Sequence, residues 1–283
     1  MNSHMALRPA SLLRWVLSLV AVIALLLLWG RAGANNNDPA PERWDRLLKS
    51  HVAWTANGTA SVVDYAGFAR DQEALKQYLA DLSAVDKGQF DAWSKGERRA
   101  FLINAYNAFT IQLILTKYPD LTSIKDLGGL FSSPWKQRFF SLLGEQRSLD
   151  DIEQGLLRRA PDFDDPRIHF AINCASIGCP ALRPEAYTSD RLEEQLQDQT
   201  RRFLSDTTRN RLDRASGTLT LSKVFSWYAA DFEKGHLGAH SVQQFVAGYA
   251  TALNANANDV ARLQQGDYKI AYNDYDWSLN SAH

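Results

Sequence analysis

Three reactive side chains fall within eleven residues, in the segment His169-Phe-Ala-Ile-Asn-Cys174-Ala-Ser-Ile-Gly-Cys179, which runs into Pro180. No other stretch of the 283 residues, with their 2 Cys and 6 His, is as dense in chemistry. Of the remaining histidines, His4 and His283 are terminal, His51 lies on an early amphipathic segment, and His236 and His240 flank a glycine-bearing loop. Four chemistries are open to the cluster. Cys174 and Cys179 can pair as a structural disulfide, since Ala175 to Gly178 can turn; so short a loop gains little chain entropy, and the bond would mainly shape the turn. Alternatively Cys174 is a nucleophile and His169 its base, because a thiol reacts as the thiolate and an imidazole within reach favours that form. Cys174 is preferred to Cys179 because Pro180 removes an amide donor beside the latter, and the amides that follow Cys174 would supply an oxyanion hole. Strict strand alternation would put positions 169 and 174 on opposite faces, so Asn173 and Cys174 must already belong to a turn. A metal is the third option, but His-x4-Cys-x4-Cys lacks a fourth ligand and matches no standard knuckle, so no metal and no cofactor is assigned. The fourth is a pair of free buried thiols beside a core histidine.

A second polar set lies on the longest apolar pattern, ERRAFLINAYNAFTIQLILTKY, a helix expected to start near Ser94 and stop before Pro119. At helical spacing Glu97, Asn104 and Asn107 fall within about 80° of one another, with Tyr106 adjacent. Buried polar groups need partners. The stripe therefore either anchors backbone or walls a pocket in which Asn104 or Glu97 orients His169. Tyr106, Asn107, Ser176 and Arg183 are the candidate binding residues. The run from Ser222 to Tyr228 offers aromatic and basic groups but reads mainly as core.

These residues need a frame. Amphipathic helices are expected from Arg43 to Val52, after Asp71 to about Ala84, and from Ser189 to Leu204. Ser148 caps a further helix whose Asp150, Asp151 and Glu153 suit the positive end of its dipole. Arg138–Leu143 with Gln146–Leu149, and Leu212–Leu221 turning at Gly217, read as hairpins. Ile168 to Ile172 reads as a short buried strand, Phe225–Phe232 and Val242–Leu253 as helices, and Tyr268–Tyr272 as a last strand before an aromatic tail. The fold class is α+β: a single, mostly helical domain around a small β-sheet with two hairpins.

Composition sets the compartment. The chain is 45% hydrophobic and 22% charged with a net charge of −1, which excludes a disordered chain and argues against a nucleic-acid binder. Residues 1–34 hold Arg8, Arg14 and Arg31 and no acid; within them the apolar run Trp15–Trp29 follows Arg8 and Arg14, and Ala32-Gly33-Ala34 comes after it. Basic start, apolar core and small-residue site are the layout of a signal peptide, or of an anchor through residues 12–30 if uncleaved. The expected organisation is a leader over 1–34, a polar linker over 35–41 and one globular domain over 42–283, exported to the periplasm or beyond.

Five segments carry a resemblance: ERRAFLINAYNAFTIQLIL, SLDDIEQGLLR, DPRIHFAINCASIGCPALRPEAY, LSKVFSWYAADF and DYDWSLN. In this order, over roughly Val62 to Asn280, they resemble the family called domain of unknown function 547, found in bacterial exported proteins and in plant proteins with an N-terminal leucine zipper. The resemblance implies that Glu97, Asn104, Tyr106, Asn107, His169, Cys174, Cys179 and Pro180 belong to a shared core or site, and it transfers no activity. Plant members can lack the equivalents of His169 and Cys179, which leaves Cys174 and the Asn/Tyr helix as the more constant features. Two functions follow as expectations. One is an envelope module that binds a protein, peptide or glycan, with a Cys174/Cys179 loop. The other is a thiol hydrolase of amide or thioester bonds, with Cys174 as nucleophile and His169 as base. No nucleic acid is expected as a partner, and a membrane only through the N-terminal segment.

Overall fold

The long apolar pattern folds as one helix, Lys95–Leu115, around which the first half of the domain packs. Ser94 caps it: its hydroxyl accepts from the Glu97 amide, while the Glu97 carboxylate accepts from the Ser94 amide at 2.8 Å. That reciprocal pair satisfies two backbone donors that a helix start leaves free. The helix is buried along nearly its whole length, from Arg99 to Ile114. Helices Pro41–His51, Tyr65–Arg70 and Gln72–Ala84 cover it, with Trp44 stacked on Tyr78 at 5.4 Å, and Phe140 of the first expected hairpin lies 3.8 Å from Phe109. This is a computed structural model that describes residues 41–129, 132–159 and 164–282. The expected leader over 1–34 lies outside the described residues. Among these residues no helix is long and apolar enough to cross a membrane.

The α+β class is as expected, with many helices and few, short strands. The strands form three small sheets rather than one. Val52–Trp54 pairs with Ser61–Val63, a hairpin the sequence reading missed, and Phe140–Leu142 pairs with Glu145–Arg147. In the third, Thr218–Leu221 lies between antiparallel Arg211–Asp213 and parallel Lys269–Tyr272. Asp71 precedes a helix as expected, but its side chain makes no cap; it holds His51 Nε2 at 2.7 Å instead.

One expectation is overturned where it matters most. Ile168–Ala171 is a single helical turn, not a strand. A short apolar run is buried on every side in either conformation, so its pattern cannot choose between them. Here the choice is made by two cores. Ile168, Ala171 and Ile172 face the cluster built on the long helix, whereas Phe170 faces a second cluster with Phe203, Phe225, Phe232 and Phe245. A helical turn distributes side chains around its axis and can serve both. Upstream, Asp165 pairs with Arg167 at 2.8 Å and with Arg99 at 2.9 Å, fixing the entry to the turn.

Asn104 clamps a distant loop to the long helix. Its carboxamide donates to Tyr187 O at 2.8 Å and accepts from Tyr187 N at 3.0 Å, with Asn104 fully buried. Removing it leaves a buried N–H and a buried C=O unpaired, at about 1–3 kcal/mol each. Asn104→Ala is therefore expected to lower the unfolding free energy by about 2–4 kcal/mol. Urea denaturation measures this, and an unchanged midpoint would contradict the clamp.

Candidate functional site

The helical turn ends at Ile172, and the loop Asn173–Pro180 begins under two carboxamides. Asn107 of the long helix donates to Ala171 O at 3.0 Å and accepts from Asn173 N at 2.8 Å. Asn173 then closes the loop on itself, accepting from Ala175 N at 2.9 Å and donating to Pro180 O at 2.7 Å. Ala175 has φ +62, a left-handed conformation that side chains resist and that recurs at functional turns. The C-terminal tail seals the other side: Ile177 N donates to Ser278 O, Gly178 N to Asp276 O, both at 2.8 Å, and Asn280 N to Ala175 O at 3.2 Å. A Cβ on Gly178 would lie 2.9 Å from Asp276 O, so this close approach needs glycine.

The loop sets its two cysteines side by side as thiols, Cys179 buried and Cys174 half-buried, sulfur to sulfur 2.6 Å. The Cys174 amide also donates to the Cys179 sulfur at 2.9 Å. Ser176 Oγ at 3.2 Å and Tyr275 Oη at 3.1 Å complete the surroundings of the Cys174 sulfur, and are themselves 3.0 Å apart. The hydrogen bond to Cys179 lowers the Cys174 thiol to about 7; burial opposes this and the Ser176 and Tyr275 hydroxyls assist it. Cys179 moves the other way, pushed well up by burial and by the neighbouring thiolate. At neutral pH Cys174 is thus the thiolate of the pair.

Both sulfurs line a cavity of about 440 Å³. Trp135, Trp227, Tyr228, Tyr275 and Trp277 give it aromatic walls, with Tyr106, Glu153 and His169 among them. Trp227 is 47% exposed at its mouth and lies 5.6 Å from Trp277, on which Lys125 Nζ sits at 3.7 Å. His169 is buried, stacked 3.8 Å from the Tyr228 ring, and its Nε2 lies 2.8 Å from Asp231 Oδ2. Burial holds the imidazole below its ordinary range despite the opposing carboxylate, so it is neutral near pH 7. Burial would raise the Asp231 carboxyl, but its bonds to His169, Arg158 and Lys234 outweigh that and keep it well below the usual range. The Asp231 anion therefore fixes the proton on Nε2 and leaves Nδ1 as the basic nitrogen, buried and without a hydrogen-bond partner. Glu153 behaves oppositely. Buried on the one π-helical turn among the described residues, Glu153–Leu157, its carboxyl is raised by burial against a hydrogen bond from Tyr228.

The sequence-derived candidates separate accordingly. Cys174, Cys179, His169 and Tyr106 line the cavity, and Ser176 touches the Cys174 sulfur. Asn107 holds backbone beneath the loop. Asn104 and Glu97 do not orient the imidazole; they serve the Tyr187 clamp and the Ser94 capping box, and Asp231 holds His169. Arg183 forms ion pairs with Glu185 and Asp198, both at 2.6 Å, beside Trp54 rather than on the cavity wall. Of the expected oxyanion amides, those of Ala175, Ile177, Gly178 and Cys179 donate within the fold. Among the described residues no hydrogen bond joins His169 to Cys174, and no group of three or more His, Cys, Asp or Glu is arranged to hold a metal ion. Asp231, Glu153 and Tyr275 escaped the sequence reading because they lie far along the chain from their partners. Tyr228 and Trp227 sat in the segment read as core.

Fold and site together define an α+β protein with a cysteine-bearing aromatic cavity. Residues 90–204 match the family model described as "Protein of unknown function, DUF547". The match takes in the long helix and the cysteine loop, while the segments LSKVFSWYAADF and DYDWSLN lie beyond it. No curated protein and no solved structure matches the chain.

Two outcomes follow for this site. Tyr275→Phe and Ser176→Ala each remove a hydroxyl that favours the thiolate, so the midpoint of the pH–alkylation profile of Cys174 should rise from about 7 toward the ordinary thiol range. A midpoint that stays in place in both variants would refute that assignment. The depressed Asp231 carboxyl contributes stability above the ordinary carboxylate range, and that contribution fades as pH falls through the range. Between neutral pH and about pH 3, Asp231→Asn should thus lose less stability than the wild type, read as urea midpoints at each pH.

Proposed function

We propose that this chain is an exported thiol-dependent acyl transferase or hydrolase, with Cys174 as nucleophile, His169 as base and Asp231 as the residue that positions the imidazole. The observation that carries it is the meeting, on one cavity wall, of a thiol lowered to about 7 and a neutral buried imidazole whose Nε2 is taken by a carboxylate. The Cys174 thiolate attacks the carbonyl carbon of a thioester, ester or amide. The carbon–leaving-group bond breaks, the leaving group takes the proton that the Cys174 thiol passed to His169 Nδ1 on becoming the thiolate, and an acyl-Cys174 thioester remains. A water that loses its proton to His169 Nδ1 then attacks this thioester, releasing the acid and restoring the thiol. The Tyr106 hydroxyl, kept protonated by burial, is the wall donor for the developing oxyanion. Export rests on the basic, apolar and small-residue layout of the leader.

A second reading keeps the cavity and drops the chemistry: a module that binds a peptide or glycan. The exposed Trp227 and its neighbours Trp135 and Trp277 favour it, since aromatic rings at a cavity mouth serve binding with or without a nucleophile. A small thioester probe decides between the two by intact mass. The wild type should gain an acyl group that Cys174→Ala does not, and His169→Ala and Asp231→Asn should acylate and turn over about a hundredfold more slowly. A wild type that never acylates, or a His169→Ala variant as fast as the wild type, would leave the binding module.

A further inference from the structure

Acyl transfer needs one thiol, and the cavity holds two. We infer that Cys174 and Cys179 form a working dithiol–disulfide couple that exchanges with a disulfide-bearing ligand entering the cavity. This activity goes beyond acyl transfer and does not require His169. Its geometry is already in place. The sulfurs are 2.6 Å apart, and Asn173 ties both ends of the intervening loop through Ala175 N and Pro180 O. The tail fixes the loop's outer edge at Ile177 and Gly178. Both cysteines line the cavity, but they are unequal in exposure and in acidity: Cys174 is half-buried and the more acidic thiol, and Cys179 is buried with its thiol pushed up. An attacker open to the cavity with a more buried partner is the arrangement that exchange requires.

Two steps follow, each balanced. The Cys174 thiolate attacks one sulfur of the ligand disulfide, that S–S bond breaks, and a Cys174–ligand mixed disulfide forms as the first ligand thiolate leaves and is protonated. Cys179 then gives its proton to water in the cavity and attacks the Cys174 sulfur. The mixed disulfide breaks, the second ligand thiol departs, and a Cys174–Cys179 disulfide remains. The ligand has gained two electrons from the protein and two protons by way of water, which balance the proton given up by Cys179 and the one Cys174 lost on becoming the thiolate.

Oxidised glutathione, and separately a peptide with an internal cystine, test this on the reduced full-length chain by intact mass. Wild type should show a transient adduct and finish lighter by two hydrogens. Cys179→Ala should stop at the adduct, with loss of the adduct slowed by roughly tenfold or more, and Cys174→Ala should form neither product. Cys179→Ser, made in parallel, shows that the arrest comes from the missing thiol and not from one misfitting side chain. Closure by glutathione but not by the peptide narrows the ligand to small disulfides and supports the couple. A wild-type adduct that persists as long as in Cys179→Ala overturns it, as does a wild type that glutathione leaves unchanged while an alkylating reagent labels Cys174. Acylation of the wild type by the thioester probe is read separately from closure by glutathione, so a failed couple and a failed acyl-transfer reading give different results.

Discussion

The site depends on a backbone problem solved by two asparagines. A turn wedged between two aromatic and aliphatic cores has no water to satisfy its peptide groups, and each unpaired group would cost about 1–3 kcal/mol. Asn107 serves the backbone entering the loop and Asn173 the backbone inside it, each using both ends of its carboxamide. With those four bonds made, the chain can hold Ala175 in a left-handed conformation and bring positions 174 and 179 together. Reactivity is a by-product of that packing, because the same turn that satisfies the backbone crowds three sulfur and oxygen donors around one sulfur.

Charge is arranged with similar economy. Asp231 is the buried anion that Arg158, Lys234 and His169 share, and Asp165 plays that part for Arg99 and Arg167. Breaking either set would strand charge in a poorly solvated place. Glu153 stands apart on the cavity wall, bonded to Tyr228 and Gln154 and kept toward its neutral form by burial. His169 on the cavity lining is thus backed by a carboxylate held toward its charged form, while Glu153 on the same lining is a carboxyl that resists charging, the two separated by environment rather than by residue type.

Much of this was legible in the sequence, and the remainder was hidden for physical reasons. Ser94 marked the start of the long helix because a helix start is a local signal, and the cysteine loop stood out because its reactive residues are neighbours in sequence. Asn107 was legible as a buried polar group, though not what it would hold. Glu97 was misassigned as a positioning residue because helical spacing groups residues by angle and says nothing about how far along the axis the neighbours lie. The turn at Ile168–Ala171 was read as a strand because an all-apolar run has no period to measure. Asp231 lies 62 residues from His169 and Tyr275 lies 101 from Cys174, and no local rule connects such pairs.

That last separation gives the tail a temporal meaning. A chain synthesised or threaded from its N-terminus presents Cys174 and Cys179 long before Tyr275, Asp276 and Ser278 arrive to close over them. Until then the Cys174 sulfur lacks the Tyr275 hydroxyl, one of the groups that favour its thiolate. The tail therefore finishes a nucleophile that the loop begins, and an unfinished or C-terminally clipped chain carries Cys174 without that last hydroxyl.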